Sequence, residues 1–401
     1  MSRSSVALDN LRAFVILVVL AFHSVLAYLD FLPATPYPFN EPPYKWQSFA
    51  IIDKSRFIGF DLFCAYQDVY LMSLMFFLSG VFVWSSLKRK GAVNFLLDRL
   101  VRLGIPFALA IILLMPLTLY PTYSVTATDT SVEAYYRHYI ALPLYPSGPQ
   151  WFLWQLLTLN LIAAVVFRLW PAGLKRLGDI VAAAAPHPTR FFLGLAAISA
   201  VGYVPLALIF NPWDWVQIGP FGIQESRPLH YLIFFFAGVA IGTTPLDRGL
   251  LSPDGKLAQH WRAWLAAAIL AFFLWIGLTA LTMDPNAPAA LPVRIVAALA
   301  FVVACPAACF ATLAVFMRFA GRRFAVAESL SDNAYGMYLV HYVFVVWLQF
   351  ALLDVPLFAI AKATIVFVGT LLMSWAAVAA IRSIPLGSRL VGERRAVVKA
   401  S

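Results

Sequence analysis

The sequence predicts an all-α polytopic membrane protein, a single bundle of about ten transmembrane helices with both termini cytoplasmic. Three observations predict it. Of 401 residues, 62% are hydrophobic and only 12% are charged, about half the charged share of soluble domains. Apolar runs near the length needed to cross about 30 Å of hydrocarbon recur along the whole chain. Lysine and arginine are segregated. Of the 29, only Lys45, Lys54, Arg56, Arg137, Arg227 and Arg294 fall in the loops of one side, Lys362 sits inside the last span, and the rest lie at the termini and in the loops of the other side. The positive-inside rule assigns that richer side to the cytoplasm. The asymmetry also accounts for the net charge of +10 without a nucleic-acid partner.

The spans fall near 11–30, 67–87, 103–121, 150–169, 191–210, 229–244, 261–283, 293–317, 333–353 and 357–381. The first is the most informative. Arg12 and His23 lie on one apolar stretch, Leu11 to Leu29, and the eleven-residue step closes three turns, so both share a helix face about 16 Å apart along the axis. A cation marks the water-facing end of that helix, and an imidazole lies near mid-bilayer, where an ionisable group is costly and usually functional. Met1 to Tyr28 has a basic start, but its apolar core is longer than a secretory h-region and no small-x-small site follows, so it reads as an uncleaved first span. The loops at about 31–66 and 121–149, rich in Pro, Tyr and Asp, read as caps on the bundle. The sixth run, Leu229 to Thr244, is short for a span. Residues 384–401 form a basic cytoplasmic tail, and the rest is a single membrane domain with no soluble domain of ordinary size.

Three cysteines form no disulfide framework; Cys305 and Cys309 stand one turn apart inside a span, Cys64 faces the other side, and free structural thiols are the reading. There is no repeat, Walker loop, GxGxxG motif or metal-ligand cluster with credible spacing. The chemistry therefore falls to polar residues within or at the ends of spans. A positioned histidine such as His23 can take a proton from an attacking hydroxyl or accept an acyl group itself; the alternative is an imidazole bonded to a neighbouring helix. Arg99 and Arg102, three residues apart and so on one helix face at the cytoplasmic mouth, suit phosphate recognition, with positive-inside anchoring as the plain alternative; anchoring accounts for Lys88-Arg89-Lys90. In Ser329 to His341, one of Ser331, Asp332 and Asn333 is expected to cap the ninth span. Tyr335, Tyr338 and His341 then recur every three residues along one stripe, His341 about 12 Å from the cap, at a depth like that of His23. Two histidines meeting across the bundle is one reading; aromatic packing of the tyrosines is the other. Phe76 to Phe82 supplies small residues for close helix packing. Trp151 and Trp154 sit where interfacial rings settle. Tyr44, Trp46, Trp213 and Trp215, on the outer loops, offer rings for sugar stacking or for interfacial anchoring.

Taken in order, these segments resemble the acyltransferase-3 family of bacterial membrane proteins. The residues that carry the resemblance are Leu8-Asp9-x-Leu-Arg12 followed by ten residues and His23; Phe76 to Gly80; Arg99 and Arg102 with Gly104 and Pro106; Trp151 to Leu153; and Ser331, Tyr335, Tyr338 and His341. The resemblance covers about residues 7–383, and within the family the chain is most similar to the glucan biosynthesis protein C branch, associated with succinyl transfer to periplasmic glucans. It implies a ten-helix enzyme of the bacterial cytoplasmic (inner) membrane that takes an acetyl or succinyl group from cytoplasmic acyl-coenzyme A and delivers it to a hydroxyl of a periplasmic or cell-surface carbohydrate, with no permanently bound cofactor. Carried over by position, His23 is the catalytic histidine, and Arg12, Arg99 and Arg102 serve the donor. Tyr338 and His341 are further catalytic candidates. The chain departs from the family's pattern at Ser73, where many members have an acidic residue, and at Gln150, before the Trp-Phe pair. Asp68 is the nearest carboxylate to Ser73 and becomes the candidate acidic partner of His23. The competing class is a secondary transporter or flippase for a sugar-containing or lipid-linked substrate. Such a protein should show inverted internal symmetry and paired broken helices, and the sequence has no such pair.

Overall fold

In hydrocarbon each backbone N–H and C=O has to be satisfied within its own segment, so the apolar runs wind into helices. The computed structural model describes residues 3–184, 186–284, 287, 289–384 and 387; of the expected tail at 384–401, all but Ile384 and Gly387 lies outside these. The helices are α1 (Arg3–Val25), α2 (Ile58–Val81), α3 (Val83–Arg99), α4 (Ile105–Leu109), α5 (Met115–Ser124), α6 (Val132–Ile140), α7 (Trp151–Leu169), α8 (Pro171–Ala184), α9 (Pro188–Ile209), α10 (Pro228–Ile241), α11 (Lys256–Gln259), α12 (Trp261–Ala280), α13 (Leu291–Phe319), α14 (Ala325–Ala351) and α15 (Ala359–Ser383). Among the described residues nine helical runs are long and apolar enough to cross a membrane, the longest being the continuous stretch Val83–Ser124. The tenth apolar run forms the shorter α10, about 21 Å long at 1.5 Å per residue. The chain is an all-α polytopic membrane protein, with one small exception outside the bundle. Trp215–Ile218 (β1) and Phe221–Gln224 (β2) form an antiparallel hairpin. Aromatic and β-branched residues make up most of both strands, and Gly219 takes the positive φ of 58° that the turn needs.

Two glycine contacts set how closely the bundle packs. A Cβ on Gly80 would lie 2.1 Å from the Phe235 carbonyl, and one on Gly238 2.1 Å from that of Phe77. Helices α2 and α10 therefore meet backbone to backbone, as the small residues of the Phe76–Phe82 run lead one to expect. The run from α3 to α5 is irregular for identifiable reasons. Gly91 bends α3 with a φ of 72°, and wider π turns occupy Leu100–Gly104 and Ala110–Leu114, each just before a proline, Pro106 and Pro116. Pro106 has no N–H to give the Arg102 carbonyl four residues earlier; the Tyr335 hydroxyl donates to that carbonyl instead.

Two boundaries differ from the sequence expectation. Helix α14 starts at Ala325, not at 333, so Ser331, Asp332 and Asn333 lie inside it and cap nothing. Asn333 bonds instead to the Ser329 carbonyl at 2.7 Å and accepts from Arg382 at 2.6 Å. His341 accordingly stands about 24 Å from the start of its helix rather than 12 Å. Helix α2 starts at Ile58, nine residues before the expected 67, which moves Asp68 from the first turn of the span to the middle of the helix.

Two large apolar clusters stack along the bundle, beside a small third one of Leu29, Leu32 and Ile52. The larger runs through α1, α2, α7, α10, α13 and the first half of α14. The other joins the end of α1 to Phe39 and Trp46 of the first outer loop, to Tyr123 of α5 and Tyr135 of α6, and to Tyr342, Val345 and Val366 of α14 and α15. Its lid is stapled by a buried ion pair: Lys362, in the first turn of α15, donates to Asp53 at 2.7 Å, with both side chains almost inaccessible. His23, in the last turn of α1, stands where the two clusters meet.

Candidate active site

The two histidines that the sequence set at similar depth are in contact. His341 Nε2 lies 3.3 Å from His23 Nδ1, and the rings are 4.9 Å apart, centre to centre, in an edge-on arrangement. His341 is fully buried; His23 is half-buried. Their surroundings determine which nitrogens carry protons. His341 Nδ1 is 2.7 Å from the Tyr338 carbonyl, an acceptor only, so that nitrogen is the N–H and Nε2 is left as the lone pair. His23 Nδ1 faces that lone pair and, at 2.8 Å, the Val19 carbonyl, two acceptors, so it too carries hydrogen. The unprotonated position on His23 is then Nε2, to which no group hydrogen-bonds among the described residues. A basic nitrogen is held by its partner ring on one edge and is open on the other. The backbone behind it is fixed as well, since the Gln349 amide donates to the His23 carbonyl at 3.0 Å and to that of Ser24 at 3.3 Å. The Tyr342 ring packs 5.5 Å from the His23 ring.

Along the stripe of α14, each polar side chain fastens a different element. Tyr335 donates to Arg102, Tyr338 to the Pro149 carbonyl, and His341 meets His23. The Tyr338 proton is thus committed to the turn before α7. Gln150 of that turn donates back to the Leu339 carbonyl at 2.9 Å, which gives the departure from the family's pattern at this position a structural purpose.

A family model described as an acyltransferase domain matches residues 5–379. The chain belongs to the acyltransferase-3 family. No curated protein and no solved structure matches it. It is therefore a multi-pass membrane acyltransferase, and the remaining family motifs can be placed on its fold. Arg12 lies 3.2 Å from Asp9 and 4.5 Å from the centre of the Phe82 ring, which ties this end of α1 to the junction of α2 and α3. Arg99 borders the first π turn and Arg102 lies within it, so the pair does not sit on a regular helix face. Arg99 stacks 4.9 Å over the Phe95 ring and its buried Nε has no hydrogen-bond partner among the described residues. Arg102 lies 3.1 Å from Asp98, which also holds Lys90 at 3.0 Å.

Asp68 is elsewhere. Both its carboxylate oxygens accept from Arg227, at 3.0 and 2.5 Å, and it makes no contact with His23 among the described residues. Arg227 is 1% exposed and lies over the Phe301 ring. A second buried polar group, His230 with its Nε2 3.3 Å from Cys305 Sγ, adjoins it on α10. The acidic partner that the sequence sought for His23 is thus replaced by an imidazole. Sequence reasoning also missed Gln349 and Arg227. Gln349 carried a signal, being a lone polar residue in an apolar run, whereas Arg227 closes the polar stretch Gln224 to Ser226 and does not stand out. Trp46 is not available to a ligand: it is 1% exposed, stacked 4.8 Å from Phe39, its indole N–H on the Phe39 carbonyl. Trp213 and Trp215 are 37% and 43% exposed, and Tyr44 is half-buried.

Proposed function

We propose that this protein transfers an acyl group from acyl-coenzyme A, bound at the cytoplasmic face, to a hydroxyl of an extracytoplasmic carbohydrate, in the inner membrane of a bacterium. The observation that carries the reading is the open Nε2 of His23, backed by His341, at the junction of the inner bundle and its outer cap, in a chain of acyltransferase family. In this reading the acceptor hydroxyl gives its proton to His23 Nε2 while its oxygen bonds to the thioester carbonyl carbon. The carbon–sulfur bond then breaks, and the thiolate leaves with the proton from the imidazolium. His341 positions His23: accepting from Nδ1–H holds the tautomer and steadies the imidazolium as it forms, the part a carboxylate plays in other acyl-transfer sites. Tyr338 positions His341 in turn through its carbonyl. Arg12, Arg99 and Arg102 take the phosphates of the donor, Arg99 with the guanidinium nitrogen least committed to protein.

The resemblance to the glucan branch favours a succinyl group and a glucan. The donor carboxylate would then need a cation of its own. Lys362 is excluded as that cation by its buried pairing with Asp53, which leaves Arg12 and the Arg99–Arg102 pair. Purified protein in vesicles, given radiolabelled acetyl- or succinyl-coenzyme A on one side and a glucan on the other, tests the proposal. Labelled glucan is expected. Movement of intact glucan across the vesicle without label would refute it in favour of transport.

A further inference from the structure

At the end of the bundle that carries Arg3, the start of α1 and the end of α13 leave a cleft of about 480 Å³ between them, lined by Arg3, Arg318, Phe319, Gly321, Arg322 and Phe324. Its charges are unequally occupied. Arg3 reaches Asp254 at 3.4 Å, both side chains largely exposed, and the adjacent Arg323 reaches Glu328 at 3.4 Å. Arg318 and Arg322 have no acidic partner among the described residues. The turn that bears Arg322 is set, not loose: the Asn10 amide donates to the Ala320 carbonyl at 2.6 Å and to the Arg322 carbonyl at 2.8 Å. Two guanidiniums are thus presented from backbone that α1 holds in place.

The apolar side chains of the cleft fix its depth. Phe319 and Phe324 are 59% and 60% exposed. Phe319 meets the Trp261 ring edge-on at 5.1 Å, and Arg262 lies 5.2 Å over that indole. Rings and arginines gathered at the ends of spanning helices mark the level where hydrocarbon gives way to headgroups. At that level an exposed phenyl has acyl chain beside it, and a guanidinium reaches phosphate. We propose that this cleft binds the headgroup of an anionic phospholipid, with Arg318 and Arg322 on the phosphate oxygens and Phe319 and Phe324 against the upper acyl chain. The same guanidiniums would suit a soluble phosphate, but two features set the cleft apart from the donor path. Arg3 lies twenty residues, about 30 Å, from His23 along α1, and its nine-residue offset from Arg12 turns it to the opposite side of the helix. The inference does not rest on the acyl-transfer reading.

Native mass spectrometry of the full-length protein tests it, with phosphatidylglycerol and phosphatidylcholine as lipid probes and adenosine 3′,5′-bisphosphate as the soluble phosphate. The wild type is expected to retain phosphatidylglycerol in preference to phosphatidylcholine. Arg318→Gln/Arg322→Gln should lose that preference by roughly fivefold for each guanidinium removed, with an unchanged thermal unfolding midpoint. Arg318→Lys/Arg322→Lys should keep most of it, because a headgroup reads charge. Undiminished preference in the glutamine variant, its complete loss in the lysine variant, or displacement of phosphatidylglycerol from the wild type by the bisphosphate would each overturn the assignment, the last in favour of a nucleotide.

Discussion

Removing either histidine of the central pair should hurt the protein in a different currency. His23→Ala deletes the proposed base. Loss of a positioned base typically costs about 10²–10⁴ in rate. Because His23 is only half-buried at the end of its helix, the effect on stability should be small. His341→Ala leaves His23 Nδ1–H with the Val19 carbonyl at 2.8 Å and takes away only the longer, 3.3 Å, contact. One neutral hydrogen bond is worth about 0.5–1.5 kcal/mol net, so the rate should fall by no more than about tenfold. The cost appears instead in folding: the site is fully buried, and truncating a large core side chain costs about 2–5 kcal/mol. The assay is transfer of labelled acyl group to glucan, run beside thermal unfolding of the same samples. A folded His341→Ala enzyme as slow as His23→Ala would refute the positioning role and put His341 in the chemistry. Wild-type turnover by a folded His23→Ala enzyme would sink the proposed mechanism altogether.

Three further outcomes are expected. Arg99→Lys and Arg102→Lys keep the charge but lose the fork that grips phosphate, so each should raise the apparent donor constant more than it lowers saturated turnover. Arg99→Lys should do so more strongly, because Arg102 is shared with Asp98; donor titrations that match wild type would show both to be anchors only. Substituting Trp213 and Trp215 together should weaken acceptor use while donor hydrolysis stays unchanged, and an unaltered dependence on glucan concentration would make the hairpin an interfacial anchor. Arg227→Met strands the Asp68 carboxylate and should cost about 3 kcal/mol, the low end for a broken buried pair, because Asp68 is 29% exposed. Adding Asp68→Leu should recover most of that loss in an unfolding titration, and no recovery would mean that Arg227 acts through Phe301 instead.

The spans were legible because hydrocarbon enforces one rule on every residue, and the ten apolar runs fall on helical backbone, although 67–87 crosses the junction of α2 and α3 and 103–121 overlaps two π turns. Their ends were less so. The start of α14 at Ala325 escaped notice because a helix leaving the bilayer needs no apolar residue, and Glu328, Ser329 and Asp332 look like the capping region of a later start. Within the site, helical spacing was enough to align Arg12 with His23 and to line up Tyr335, Tyr338 and His341, since both are properties of a single helix. What a single helix cannot disclose is its partner. Nothing in the spacing around Asp68 says that Arg227, 159 residues later, will take its carboxylate. Trp46 read as an exposed ring because a Pro- and Tyr-rich loop normally faces water, whereas here the loop folds over its own cluster of Phe39, Tyr123 and Tyr135.

The same long separations bear on how the protein comes into being. His23 and His341 are 318 residues apart, and the staple that closes the outer cap joins Asp53 to Lys362 across 309. A chain entering the membrane span by span carries its histidine from the first helix onward, yet without the tautomer-fixing ring until the ninth long run of sequence has followed, and without a fastened cap until the last has. The backed imidazole and the fastened cap are thus properties of the completed chain: His23 keeps its Val19 contact from the start, but gains its partner ring and its enclosure only from α14 and α15.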